Sequence, residues 1–341
     1  MRIVRIFTIF AVLLLVGTIA VAEGGQVLLN AAGATFPYPI YSKWFDEYHK
    51  VHPNVQINYQ SIGSGGGIRQ LTDKTVDFGA SDGPMTDDQL KQAGFPILHF
   101  PTVLGADIPA YNVKGVQGDL NFTPEALAGI FLGKITKWND PAIASVNPGV
   151  KLPGDDIVVV HRSDGSGTTY IWTDYLSKIS PEWQQKVGKA TSVNWPVGLG
   201  GKGNEGVSAL VEQTPGAMGY IELIYAIQNH MSYGKVKNSS GAFIKADLAS
   251  VSAAAAAVAK VMPDDFRVSI TNPEGKMAYP IASFTWLLIP EKIADTAKRD
   301  AVKDFLKWMM TDGQNDCEAL AYAKLPKEVV AKEMKAIAMI Q

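Results

Sequence analysis

The stretch that decides the fold runs from Ile157 to Leu176, IVVVHRSDGSGTTYIWTDYL. Ile157, Val158, Val159 and Val160 form a continuous β-branched run, as expected of a strand buried on both faces. Tyr170, Ile171, Trp172, Tyr175 and Leu176 then fall at helical spacing. Between strand and helix lie Arg162 to Thr168, where two glycines let the backbone turn sharply and come close to a ligand. The N–H groups of the helix's first turn point outward, with the positive end of the helix dipole behind them. That geometry binds anions. Ser166 and Thr168 add hydroxyl donors, and Arg162 adds a full positive charge. Taken alone, the same residues also fit a plain strand–turn–helix joint with a capping serine. Two more stretches of the same kind upstream favour an oxyanion site.

The first of these is Gly33-Ala34-Thr35-Phe36-Pro37, a turn between a strand at Val27–Leu29 and a helix with Tyr41, Trp44, Phe45 and Tyr48 along one stripe. Thr35 stands at an N-cap position, either as a plain cap or as a hydroxyl facing a ligand. The second is Ser61-Ile62-Gly63-Ser64-Gly65-Gly66-Gly67, between an alternating strand at Val55–Tyr59 and a helix over IRQLTDKT. Three consecutive glycines are costly unless the backbone must turn tightly or approach a ligand. A short strand, Asp77 to Ser81, then ends at Asp82, before a helix from Thr86 to Ala93.

The remainder keeps the alternation. One or two extended segments span Ile97 to Tyr111, and a helix covers PEALAGIFLGK. A glycine-rich loop, Trp195–Gly206, precedes a helix at Val207–Gln213. It is not a Walker loop, since no glycine stands five positions before Gly201-Lys202. Strands are expected at Ala217–Glu222, Asp265–Ile270 and Phe284–Ile289, with an alanine-rich helix at Val251–Val261. The end reads as helical over Ala294–Met310, Gly313–Ala323 and Lys327–Ile340. Strands alternating with helices argue for α/β architecture, in which loops at the carboxyl ends of strands meet in a ligand crevice.

With 341 residues, 47% hydrophobic and 19% charged, the chain has room for two domains with sizeable cores. Residues 1–22 differ from the rest. Arg2 and Arg5 precede an apolar run, Ile9–Val16, and Ala20-Val21-Ala22 supplies a small–x–small site before Glu23. This is the pattern of a secretory signal peptide cut after Ala22. No cysteine lies near the cut, so a bacterial lipid anchor is not expected. Removing the segment takes two arginines and no acid, moving the formal net charge from −2 to −4. That balance argues against a nucleic-acid binder, so an anion must be held by local geometry. Cys317 is the single cysteine, read as a packed thiol in a helix; neither a disulfide nor a cysteine-rich metal site is available.

At this point the motifs converge. Ala32–Pro37, YQSIGSGGG at Tyr59–Gly67, VDFGASD at Val76–Asp82, LGKITKWND at Leu132–Asp140, RSDGSGT at Arg162–Thr168, WPVGLGGKGN at Trp195–Asn204 and PGAMGY at Pro215–Tyr220 together resemble the periplasmic phosphate-binding proteins of bacterial phosphate ABC importers. The resemblance covers nearly the whole mature chain. It implies a type II periplasmic-binding-protein fold, two α/β domains closing like a hinge around a central cleft. By resemblance, domain I is residues 23–103 plus 276–341 and domain II is 104–275. Phosphate contacts fall on Thr35, the Phe36 N–H, Ser64, Asp82, Arg162, Ser166, the Gly167 N–H and Thr168. The implied partners are inorganic phosphate and the membrane permease and ATPase subunits of an importer. The implied protein is a soluble periplasmic monomer without cofactor or metal. Family members often have alanine where this chain has Ser163, and serine where it has Gly65.

Asp82 carries the chemistry of selection, unless it merely caps a helix. A carboxylate facing an anion repels it unless the ligand brings a proton. Phosphate carries an O–H near neutral pH and sulfate carries none, so an acceptor-only carboxylate penalises sulfate. Asp164, two residues after Arg162, either orients that arginine or holds its own turn. The competing readings are a receptor for another oxyanion, and a secreted phosphoesterase using Ser64 or Ser166. The latter needs a base or a metal. His49 and His52 share a helix face without acids at ligand spacing, His161 should point away from Arg162, and no Gly-x-Ser-x-Gly elbow surrounds either serine.

Overall fold

The computed structural model describes residues 25–116, 118–258 and 262–341. The signal segment expected at 1–22 lies outside the described residues. In the first third, β1 (Val27–Gly33), α1 (Tyr38–Val51), β2 (Val55–Ser61), α2 (Ser64–Thr72), β3 (Phe78–Ser81) and α3 (Asp87–Ala93) alternate. Then come β4 (Ile97–Tyr111), β5 (Asn121–Phe122), α4 (Pro124–Phe131), α5 (Pro141–Ala144), β6 (Val158–Arg162), α6 (Gly167–Ile179) and α7 (Pro181–Lys186). β7 (Leu199–Gly201), α8 (Gly203–Gln213), β8 (Ala217–Glu222) and α9 (Leu223–Gln228) lead to three short strands, β9 (Ser232–Tyr233), β10 (Lys235–Lys237) and β11 (Phe243–Ile244). α10 (Leu248–Ala256), β12 (Ala282–Pro290), α11 (Thr296–Met310) and α12 (Lys327–Ala336) complete the chain.

The strands form one continuous curled sheet in the order β2-β1-β3-β12-β4-β8-β6-β7, with β9 also on β4 and a small separate sheet β11-β10-β5. β4 joins its halves. It pairs with β12 from Ile97 to Ala106 and with β8 from Asp107 to Tyr111, antiparallel in both cases. Pro101 and Pro109 both lie inside this single 15-residue strand. The register slips beside Pro101, between Thr285 and Trp286 of the partner. Such an irregularity tolerates a residue without an N–H.

Each half carries its own helices, giving a two-domain fold with one lobe on either side of the β4 exchange. In the first lobe α1 and α2 cover β2, β1 and β3. α1 lays Tyr41, Trp44, Phe45 and Tyr48 inward, and Phe45 and Tyr48 meet Phe305 of α11 at ring separations of 5.5 and 5.2 Å. In the second lobe α6 and α8 pack on β6 and β8. Trp172 of α6 stacks on Tyr220 of β8 at 5.2 Å, and Trp195 stacks on His161 at 4.9 Å. The parallel strands β1, β2 and β3 of one lobe, and β6 of the other, end in the loops that carry the glycines.

Several elements differ from their sequence expectation. Residues 265–270 are irregular, not a strand, because Arg267 and Ser269 turn their side chains to Asp87 and Asp174 instead of alternating against a sheet. The segment Gly313–Ala323 forms two 3₁₀ turns, Asp312–Asp316 and Glu318–Leu320, and Cys317 sits between them. The Cys317 thiol is fully buried, and burial pushes its pKa up to about 12. The alanine-rich helix ends at Ala256, with part of the expected run to Val261 outside the described residues. α2 starts at Ser64, so Gly65, Gly66 and Gly67 are its first turn and not a preceding loop.

Candidate functional site

Three strand ends of the first lobe and one of the second bring the predicted residues to a single place between the lobes. Thr35, Phe36, Ser64, Asp82, Arg162, Ser166 and Thr168 are all at most 3% exposed. For so many polar side chains to be buried together, each must be held by partners, and the partners define the geometry.

The loop after β1 is held by its carbonyl groups. The hydroxyls of Tyr59, Tyr225 and Tyr322 donate to the carbonyl oxygens of Ala34, Thr35 and Phe36 at 2.7, 2.6 and 2.5 Å. Burial raises the pKa of all three phenols, so they remain donors. The Ala34 N–H is taken by the Ala80 carbonyl at 3.1 Å, and with three successive carbonyls engaged by tyrosines the Thr35 and Phe36 N–H groups are left to face a ligand, as in anion-binding backbone concavities. Thr35 does not cap α1: the residue at the cap is Pro37, and no side chain caps that helix. Its Oγ1 instead accepts from Asn204 across the cleft.

The other two glycine-bearing turns touch each other. Gly63 has φ +87°, and a Cβ there would lie 2.6 Å from the carbonyl oxygen of Gly165 in the opposite lobe. The Gly65 N–H donates to that same carbonyl at 2.9 Å. A Cβ on Gly167 would fall 2.5 Å from Cβ and Oδ2 of Asp82, and closer still to Ser64 Oγ. The N-termini of α2 and α6 therefore meet too closely to leave room for a Cβ, which is why glycine occupies these positions.

Arg162 leaves β6 with its guanidinium held edge-on by Asp164. Nε donates to Oδ1 at 2.8 Å and Nη2 to Oδ2 at 2.6 Å. Asp164 also accepts from the Gly203 N–H at 3.1 Å. Burial opposes both charges, yet each outweighs that cost for the other: the Asp164 pKa is lowered and the Arg162 pKa is raised. Nη1 donates to Thr168 Oγ1 at 3.1 Å. Of the five guanidinium N–H groups, one on each terminal nitrogen is left for a further acceptor.

Ser166 caps α6, accepting from the Thr169 N–H at 3.0 Å. The capping role read in the sequence is therefore present, and the hydroxyl hydrogen is still available. Asp82 faces α6 from the opposite lobe. Its Oδ1 accepts from Thr285 Oγ1 at 2.8 Å, and its Oδ2 lies 3.4 Å from Ser64 Oγ. Burial raises the Asp82 pKa to about 7, against the opposing pull of Thr285, Arg162 and Ser64.

Sequence reasoning missed several supporting residues. Thr285 is a lone hydroxyl inside the apolar run FTWLLI, and that polarity was the available signal. Asn204 was visible only as part of a glycine-rich loop. Asp107 and Glu222 are fully buried and face each other at the β4–β8 register. Burial drives both pKa values well above the carboxylate range. His99 is buried too, accepting from the Met85 N–H, with its pKa lowered to about 4 by burial. His161 lies against Trp195, away from the Arg162 guanidinium. Among the described residues no group of three or more metal-binding side chains occurs, and no helix is long and apolar enough to cross a membrane.

Comparison with known proteins gives one result at every level. The signature of the PBP superfamily domain matches residues 20–313. A phosphate-binding protein PstS of Xylella fastidiosa is 47% identical over 306 residues, covering 89% of this chain and 83% of that protein. The PstS of Pasteurella multocida is 45% identical, covering 94% and 92%. Among solved structures, a periplasmic phosphate-binding protein, PfluDING, superposes with TM-score 0.72 at 21% identity, covering 90% of this chain and 93% of that one. The phosphate-binding protein of Stenotrophomonas maltophilia gives 0.70 at 18%, covering 91% and 93%. The fold, the sequence signature and the full-length relatives agree: this chain belongs to the PBP superfamily and, within it, to the family of phosphate-binding PstS proteins.

Proposed function

We propose that this protein is an extracytoplasmic receptor that binds one inorganic phosphate between its lobes and delivers it to a membrane importer. The convergence of the α2 and α6 N-termini, the Phe36 loop and the Arg162 guanidinium on one buried point supports the reading most. Donors come from the Thr35 hydroxyl, the Phe36 N–H, Ser64, Arg162, Ser166, the Gly167 N–H and Thr168. Asp82 is the acceptor that takes the phosphate O–H. A micromolar site requires about 8 kcal/mol of binding free energy. Charged hydrogen bonds contribute roughly 1.5–3 kcal/mol each, so several suffice after the cost of closure and ordering. Neither a metal nor a cofactor is needed.

Hinge closure takes place about β4, with residues 23–103 and 276–341 on one side and 104–275 on the other. The exchange of partners between Ala106 and Asp107 lies close to that division. Residues 1–22 direct export to the periplasm, where the protein works as a monomer beside the importer's permease and ATPase subunits.

The test is calorimetric titration of the ligand-stripped mature protein with phosphate and then sulfate. Tight one-to-one phosphate binding with negligible sulfate binding is expected, and Asp82→Asn should relax the discrimination against sulfate. Equal sulfate binding by the unaltered protein would overturn the substrate assignment. Unchanged selectivity in the variant would remove Asp82 from its role.

A further inference from the structure

Asn204 touches both lobes and is assigned no part in the reading above. It is the second residue of α8 and is fully buried. Its side-chain oxygen accepts from the Glu222 N–H at 3.0 Å. That contact fixes the amide, because only the oxygen can accept there. The NH₂ end must therefore face the cleft. It has two hydrogens and two partners: Thr35 Oγ1 at 2.8 Å in the first lobe and Thr168 Oγ1 at 3.1 Å in the second.

The consequence lies in the hydroxyls. Thr35 Oγ1 receives a second donor, the Asn204 backbone N–H at 3.2 Å. Thr168 Oγ1 receives a second donor, Arg162 Nη1 at 3.1 Å. A hydroxyl oxygen has two lone pairs, and in each threonine both are taken. Neither can accept anything more, so each can only donate its hydrogen, and it must do so toward a third group.

We infer that Asn204 is a positioning residue that turns Thr35 and Thr168 into obligate donors toward the bound oxyanion and ties that arrangement to closure of the lobes. The inference rests on the phosphate reading and names how that site is set. A rotatable hydroxyl could otherwise point its hydrogen away and present a lone pair to the anion. The network removes that choice: Thr168 is set within its own lobe before the ligand arrives, which lowers the ordering cost of binding, and Thr35 is set as the cleft closes. Because Thr35 and Asn204 sit on opposite lobes, the Thr35 half of the arrangement exists only when the cleft is closed. Loss of the amide should therefore speed phosphate release more than it slows capture.

The experiment is a double-mutant cycle read by phosphate titration and stopped-flow release, using Asn204→Ala, Thr168→Val and the combined variant. Asn204→Ala should weaken phosphate binding about 10- to 100-fold, mostly through faster release. In the Thr168→Val background the same substitution should cost several-fold less, since the hydroxyl it orients is gone. If Asn204→Ala does not fold, the near-isosteric Asn204→Asp runs the same cycle. A carboxylate there would draw both hydroxyl hydrogens inward, and it too should couple to Thr168→Val, whereas its added charge alone would act equally in both backgrounds. Additive losses, or unchanged release by a folded Asn204 variant, overturn the inference. Failure of the unaltered protein to bind phosphate overturns the phosphate reading itself.

Discussion

Replacing Asp82 with asparagine should stabilise the phosphate-free protein, and by an amount that depends on pH. Asp82 is 1% exposed, and burial lifts its pKa from 3.8 to about 7. Between those values the native state holds a proton that the unfolded state has released. Stability therefore falls as pH rises through the window, and the loss is complete above about pH 7. A shift of roughly three units corresponds to about 4 kcal/mol in total, of which about 3 kcal/mol falls between pH 5 and pH 8. Asparagine removes the ionisation and keeps an oxygen for the Thr285 hydroxyl. Urea unfolding of both proteins in phosphate-free buffer at pH 5, 6, 7 and 8 gives the difference, which includes the easier ionisation of Asp107 and Glu222 once the Asp82 charge no longer faces them. The advantage of the variant should grow by up to about 3 kcal/mol across the series. A difference that is flat with pH, or that favours the native aspartate at pH 8, would refute the account of a carboxylate held by burial against its own charge.

Two further outcomes follow from the site's geometry. Gly167→Ala places a methyl 2.5 Å from Asp82 and against Ser64, so it should hold the lobes apart and weaken phosphate binding by at least about 100-fold, which titration checks. Arg162→Lys keeps the charge but loses the two-point hold of Asp164, and calorimetry should show phosphate binding about 10- to 100-fold weaker.

Much of this protein is legible in its sequence because the signals are local. The valine run before Arg162, the aromatic stripe of α1 and the strand at Ala217–Glu222 each follow from periodicity over a few residues. Glycine clusters mark where backbone must turn tightly or approach a ligand, and at Gly65 and Gly167 the close neighbour in the structure is the opposite lobe. The failures had long-range causes. Asp265–Ile270 alternates like a strand, but its polar side chains bind partners on Asp87 and Asp174, far away in the chain. The run after Gly313 has helical composition, yet it folds as 3₁₀ turns, where Gln314 reaches the Thr102 carbonyl and Trp44 the Gly313 carbonyl.

By itself, then, the sequence determined the alternation of strands and helices, the three glycine-bearing turns and the charged residues beside them, since each is encoded within a dozen neighbouring positions. Only the tertiary structure decided what those residues do to one another. Asp82 is perturbed because sheet, helix and opposite lobe together exclude water from it. The tyrosine hydroxyls that turn the Thr35 loop come from positions 59, 225 and 322, and the amide that sets two threonine hydroxyls comes from position 204. Burial and hydrogen-bond direction are properties of the closed three-dimensional arrangement, and no pattern within a single stretch carries them.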